Sequence, residues 1–198
     1  MATVRQSQAL ATRQRLLDTA TRLFASEGFA AVTTTGLSEA AGVTRGALYH
    51  HFANMTEVME AVFARSEGVL VSRVTDALAE QADPRARLLA LGPVVLRALA
   101  HDTLVQRIVF VEAPAALGWS RWRALDGGRS LVLISGLLES LVEQGQLVAG
   151  VEPSLAAQLL LGAVNEAGMR VAATEGRDLA AASAQLTLLC GGLLAERS

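Results

Sequence analysis

Lysine is absent from the 198 residues: all 17 basic residues are arginine, set against 19 acids for a formal charge of −2. On that balance alone nucleic acid is an unexpected partner, and any contact with it has to be local. The single cysteine, Cys190, permits no intrachain disulfide and no CxxC-type metal site. It reads as a small buried hydrophobe, with a redox-sensing thiol as the alternative. Four prolines and few β-branched runs leave little from which to build a sheet, which favours an all-α chain. Apolar runs are interrupted well short of the ~20 residues of a membrane span. The opening MATVRQSQAL has no apolar signal-peptide core, so a cytoplasmic location without a membrane partner is expected. What is plentiful is hydrophobic residues, 52%, enough for a good core in one or two domains.

The most informative stretch runs from Thr33 to Asn54, TTTGLSEAAGVTRGALYHHFAN. It reads as two short helices joined at Gly42-Val43, a helix-turn-helix whose second helix enters the DNA major groove. Val43, Leu48 and Phe52 share one side and can pack on Leu37, Ala40 and Ala41. Thr44, Arg45, Tyr49 and His50 are left facing away. Gly42 accepts positive φ at the turn, while Gly46 and Ala47 keep the helix surface low enough to approach DNA. Arg45 suits guanine O6 and N7, and Thr44, Tyr49 and His50 suit phosphate oxygens. An ordinary helical hairpin with a polar wet face is the alternative to this reading.

The surrounding residues narrow the choice. Arg15-Leu16-Leu17, Ala20, Leu23-Phe24, Gly28-Phe29, Thr33-Thr34, Ala40-Ala41-Gly42-Val43 and Gly46-Ala47-Leu48-Tyr49-His50-His51-Phe52 stand in unbroken order over about residues 12 to 65. This stretch resembles the amino-terminal domain of the tetracycline-repressor (TetR) family of bacterial transcription regulators. The resemblance implies that Thr33 and Thr34 cap the second helix and touch the DNA backbone, and that Thr35 faces DNA. It also implies that Arg45 faces bases, with Thr44, Tyr49 and His50 along phosphates or flanking bases. The chain departs from the family at Met55, where a phosphate-gripping lysine is common. Asn54-Met55-Thr56-Glu57 still spells a capping box.

Charge divides along the chain in the same sense. Residues 1–55 hold five arginines (Arg5, Arg13, Arg15, Arg22, Arg45) against three acids (Asp18, Glu27, Glu39), a net +2, and the remainder holds 12 arginines against 16 acids, a net −4. Leu16, Leu17, Ala20, Leu23 and Phe24 form an apolar stripe that ends at Gly28 and supports the hairpin. Residues 1 to about 10 lack periodicity and are expected to form a mobile arm. In it Arg5 reads as part of a solvated tail, with contact to phosphate or the minor groove as the alternative.

The expected architecture is therefore all-α, with about nine helices in two domains. Residues 1–54 form a three-helix helix-turn-helix DNA-binding domain, and residues 55–198 a helical effector-binding and dimerisation domain. In the second, helices are expected over Met55 to about Ser66, Gly68 to about Gln81, and about Pro84 to Ala100 with a kink at Pro93. Asp102 to Val111, Arg129 to Gln144, Pro153 to Thr174 and Asp178 to Glu196 complete the set. Between them Ala113 to Gly128 is broken by Pro114, Gly118 and Gly127-Gly128.

The last two helices carry faces of mixed large and small residues suited to close approach. Leu155, Gln158-Leu159, Gly162, Val164-Asn165, Gly168 and Met169 form one face, and Leu186, Leu189, Gly191-Gly192 and Leu194 the other. The resemblance implies a homodimer through such a four-helix bundle, placing Leu159, Gly162, Met169, Leu186, Leu189 and Leu194 in the interface. Dimerisation would set the half-site spacing on a near-palindromic double-stranded operator. Closing the core of a monomer is the alternative role.

The resemblance further implies a small-molecule effector of unknown identity. Arg107, Phe110, Trp119, Trp122, Asn165 and Glu166 are the candidate contacts, lying near the proline-glycine break or on the dimer helices. No cofactor or metal is expected. His50 and His51 diverge by about 100° on a helix and cannot share a metal, and His101 has no HExxH or cysteine company. GxSxG and GxxxxGK[ST] are missing, and Glu112 and Asp126 are not a marked carboxylate pair, so no catalytic residue is named. The function expected is a ligand-responsive transcriptional repressor, and the rival is a helical protein-interaction module with weak or lost DNA binding.

Overall fold

The computed structural model describes the backbone of residues 4–196 and the side chains of residues 6–196. The first three helices are α1 (Val4–Glu27), α2 (Thr34–Ala40) and α3 (Arg45–His51), with a single 3-10 turn at Phe29–Ala31 between α1 and α2. Then come α4 (Met55–Ala79), α5 (Pro84–His101), α6 (Thr103–Arg107), a π turn (Ile108–Glu112) and α7 (Ala113–Leu117). The chain ends with α8 (Trp119–Asp126), α9 (Arg129–Glu143), α10 (Pro153–Ala173) and α11 (Leu179–Gly191). The described residues hold no strand, only an isolated bridge between Leu147 and Leu194.

Several boundaries differ from expectation for identifiable reasons. Helix α1 starts at Val4, so residues 4–10 join the helix instead of forming an arm; the rest of that arm and the Arg5 side chain lie outside the described residues. Helix α4 runs unbroken through Gly68, because the buried stripe Val62, Phe63, Leu70 and Val74 continues across it and tertiary packing outweighs one glycine's low helix propensity. The segment after Asp102 continues past Val111 as the π turn and α7, with Pro114 tolerated in the first turn of α7.

Proline shapes the core twice. Within α5, Pro93 has no N–H to offer the Leu89 carbonyl, and the Thr187 hydroxyl of α11 reaches that oxygen at 3.3 Å. In the π register, Pro114 is the residue that would have donated to Val109 O. That carbonyl instead accepts the indole N–H of Trp122 at 2.9 Å, which fixes the fully buried ring against the turn.

Helix α4 is the central strut. Its buried face, Val58, Val62, Phe63, Leu70, Val74 and Leu78, packs on α1 on one side and on α5, α7 and α9 on the other. One continuous apolar core therefore runs from Leu16 of α1 to Leu186 of α11. The α5–α11 pair is drawn together at Gly92, where a Cβ would collide with the Leu186 side chain. Cys190 lies in the same layer, and burial pushes its thiol up to about 11, so it is a packing group and not a thiolate at neutral pH.

Candidate nucleic-acid interface and internal cavity

Local chemistry builds the hairpin as its sequence dictates. Thr33 caps α2 by accepting from Gly36 N at 3.0 Å, and Thr44 caps α3 by accepting from Ala47 N at 3.1 Å. Gly42, at φ +63, turns the chain between them. Leu37, Ala41, Leu48 and Phe52 are buried and Val43 is half-buried against them. Ala40, expected in that contact, is exposed; the place goes to Ser38, buried with its hydroxyl donating to Thr34 O at 2.7 Å.

The outward row matches expectation in geometry. Thr33, Thr35, Thr44, Arg45, Gly46, Tyr49 and His50 are exposed, and Thr34 and Ala47 are half-exposed beside them. Thr34, first, and Arg45 hold the Tyr49 phenol below its ordinary value, which places these three polar groups on one surface across α2 and α3. Arg13 of α1 stacks over the Phe52 ring, 5.1 Å from its centroid. Burial, then the charges of His50 and Arg13, lowers the pKa of His51 and favours its neutral form. Met55 turns half inward against the core, and the α4 cap survives: Asn54 Oδ1 accepts from Glu57 N at 2.9 Å, and Glu57 Oε2 from Ala53 N at 2.6 Å.

The head is tied to the body by charge as well as by packing. Glu112, at the end of the π turn and 7% exposed, accepts from Phe29 N at 2.9 Å and from Arg107 Nε at 3.2 Å. Arg65 of α4 pairs with Asp18 of α1 at 2.6 Å, and Arg121 of α8 grips Glu60 of α4 with two bonds of 2.7 and 2.8 Å.

Between α4, α5, α9, α10 and the π turn lies a cavity of about 40 Å³. Leu70, Val74, Leu91, Phe110 and Ile134 make its apolar wall, and Glu67, Asp126, Ser130 and Asn165 its polar side. A wider groove of about 640 Å³ between α4 and α9 shares Glu67, Val71 and Leu133 with it. Glu67, Asp126 and Asn165 are each 2% exposed. The Asn165 amide donates to Asp126 Oδ2 at 2.5 Å; Ser130 donates to Glu67 through N and Oγ, and Arg129 reaches Glu67 at 3.2 Å. Burial, with the Glu67 charge adding, pushes the Asp126 carboxyl up to about 6.

Of the six effector candidates, the cavity brings together only Phe110 and Asn165. Trp122 serves as the plug on Val109 O, and Trp119 sits exposed against it with ring centroids 5.1 Å apart. Arg107 is engaged with Glu112, and Glu166 faces outward on α10. Glu67 and Asp126 were missed, although periodicity marked both. Glu67 falls inside the α4 stripe Phe63, Glu67, Leu70, Val74, and Asp126 lies one turn after the buried Trp122.

The dimer candidates also separate. Leu159 and Leu189 are exposed, as are Leu155 and Leu188, giving α10 and α11 an uncovered apolar surface. Met169 and Gly162 are half-buried, the latter beside the Arg123 guanidinium. Leu186 and Leu194 point into their own protomer, one filling the space above Gly92 and the other paired with Leu147 in the isolated bridge. Among the described residues no group of three or more His, Cys, Asp or Glu side chains is placed to hold a metal ion. No single described helix is long and apolar enough to cross a membrane.

Comparison with known proteins bears on the family and the fold. Residues 16–62 match the family model described as bacterial regulatory proteins, tetR family, and residues 96–193 match the tetracyclin repressor-like C-terminal domain. A TetR-family transcriptional regulator from Pectobacterium atrosepticum shares the fold with a TM-score of 0.73 and 29% identity, over 98% of this chain and 99% of that one. The FadR repressor of Thermus thermophilus, solved with lauroyl-CoA, gives 0.71 and 27% identity over 94% and 97%. The HTH-type transcriptional repressor KstR2 of Mycobacterium tuberculosis is 32% identical over 94 residues, 48% of this chain and 47% of the relative. The matched stretch thus spans about half the length of such curated relatives. The head and body of the fold are each matched in their own right, and the chain belongs to the tetR family of bacterial regulatory proteins.

Proposed function

We propose that this chain is a homodimeric transcriptional repressor of the cytoplasm, binding near-palindromic double-stranded DNA and released from it by a small molecule. The observation that carries the reading is the exposed row Thr44, Arg45, Tyr49 and His50 on a short helix immobilised from behind by Leu48 and Phe52. A rigid helix offering one guanidinium for base edges and three smaller polar groups for phosphates has the division of labour that groove recognition needs. Residues 1–54 serve as the DNA-binding domain and residues 55–198 as the effector and dimer domain. The exposed leucines of α10 and α11, Leu155, Leu159, Leu188 and Leu189, supply the self-association surface.

Release follows from the connection between cavity and head. Val109 and Phe110 line the cavity, and three residues on from Val109 the same π turn presents Glu112 to the backbone of Phe29. A ligand that enlarges the cavity moves this turn and with it the α1–α2 junction. It acts only in so far as it binds the altered spacing of the two heads more tightly than the DNA-competent one.

Sedimentation tests the assembly that the reading requires. A dimer is expected for the free protein and two protomers per duplex in the complex. Leu159→Glu with Leu188→Glu is expected to give a folded monomer that no longer retains DNA. A monomeric wild type that binds DNA in one-to-one stoichiometry contradicts the proposal.

A further inference from the structure

The polar side of the cavity offers acceptors. Asn165 supplies the hydrogen bond given to the Asp126 carboxyl, and it goes to Oδ2; among the described residues none reaches Asp126 Oδ1 or the amide oxygen of Asn165. Glu67 is equally buried, and the cation paired with it, Arg129, is largely exposed at the mouth of the outer groove. Two carboxylates face one apolar space, where Ser130 is turned onto Glu67. Arg129 beside Glu67 and the charge of Arg123 near Asp126 offset only part of the cost of burying two like charges, and a further counter-charge with N–H donors inside the cavity offsets more of it.

We propose that the effector site takes an organic ammonium ion, an amine with an apolar alkyl or aryl body, its N–H groups donating to Asp126 and Glu67. This rests on the reading of the chain as a ligand-released repressor, and it names the ligand class of that site. The apolar body lies against Leu70, Leu91, Phe110 and Ile134. Entry is by the α4–α9 groove, past Glu67, which borders both spaces. At about 40 Å³ the inner space holds only a few waters, so binding has to push its walls apart, and Phe110 on the π turn is one of them. Anionic ligands are rejected by the same two carboxylates.

Calorimetry of the full chain near pH 7.5 tests this with ligands that share a body and differ in charge: 4-phenylbutylamine, 4-phenylbutanol and 4-phenylbutyrate, with hexylamine and octylamine as further amines and lauroyl-CoA as an anionic comparison. The amine is expected to bind at least about ten-fold tighter than the alcohol or the carboxylate, the scale of one charge-assisted hydrogen bond. Asp126→Asn is expected to abolish that preference, bringing amine and alcohol to within about two-fold of each other, and Glu67→Gln provides a second variant should the first fold poorly. Failure of all three amines to bind overturns the assignment. So does equal or tighter binding of 4-phenylbutyrate or lauroyl-CoA, or an amine preference that survives in both variants.

DNA retention measured without ligand keeps the two readings separate. Amine binding by a protein that ignores DNA supports the site and removes the repressor. Specific DNA binding released by lauroyl-CoA, with amines inert, supports the repressor and removes this site.

Discussion

The Glu112 carboxylate accepts a hydrogen bond from the backbone N–H of Phe29 at 2.9 Å, joining the last residue of the π turn to the junction between α1 and α2. Gly28, at φ +86, precedes Phe29, and a Cβ at that position would stand 3.6 Å from the same carboxylate. Glu112 thus holds the head by a main-chain group, and Arg107 neutralises it from its own helix. Glu112→Ala leaves the Phe29 N–H without this partner and is expected to cost about 1–3 kcal/mol. Thermal denaturation checks the cost, and amide exchange at Phe29 checks its place: exchange there should accelerate more than at Leu48 in α3.

Arg45 is the one side chain of the outward row suited to reading a base pair bidentately. Arg45→Ala is expected to cost about 1–3 kcal/mol per half-site and to relax preference at the matching position. Binding to a panel of single-base variants checks this. Unchanged base preference would remove Arg45 from readout and leave it among the phosphate contacts.

Met55 lies half-buried at the start of α4, the position at which the resemblance implies a phosphate-gripping lysine. A lysine stem can occupy the same half-buried path and carry its ammonium to the surface. Met55→Lys is therefore expected to strengthen binding to many sequences alike and to steepen the salt dependence by about one unit of log-log slope. A salt titration of duplex affinity measures it, and an unchanged slope means the side chain does not approach phosphate.

Asp126 gives the body a pH signature. Its carboxyl is pushed up to about 6 by burial and by Glu67, with Asn165 and Arg123 partly offsetting the shift. In the unfolded chain it titrates near its ordinary value of about 3.9. Between these values the native state keeps a proton that the unfolded chain has lost, so this residue's contribution falls as pH rises from about 4 to about 6, by on the order of 2–3 kcal/mol. Glu60 and Asp102 titrate below their ordinary values and act in the opposite sense. The comparison is therefore wild type against Asp126→Asn: the variant's relative stability should rise from pH 4 to 6 and level off above. A pH-independent difference in urea denaturation would contradict it.

The head was legible in the sequence because its determinants are local. Thr33 and Thr44 cap, Gly42 turns, and Leu37, Leu48 and Phe52 recur at spacings that bury one side of a short helical hairpin. Ala40 was misplaced because a small apolar residue fits either face of a short helix. The body was legible as helices but not as a site. Glu67 and Asp126 look like solvent-facing acids until neighbouring helices cover them, and Trp122 looks like a pocket aromatic until Pro114 leaves Val109 O in need of a donor. Leu186 and Leu194 resembled interface leucines because apolar spacing alone does not say which neighbour a face meets; Gly92 and Leu147 decide that from far away in the chain.

Selection of genomic fragments by the purified protein at about 150 mM salt, where non-specific phosphate attraction is largely screened, tests the central claim most directly. The account predicts recovery of a near-palindromic site by the wild type and loss of that preference with Arg45→Ala. Recovery of no preferred sequence by folded, dimeric protein would contradict it.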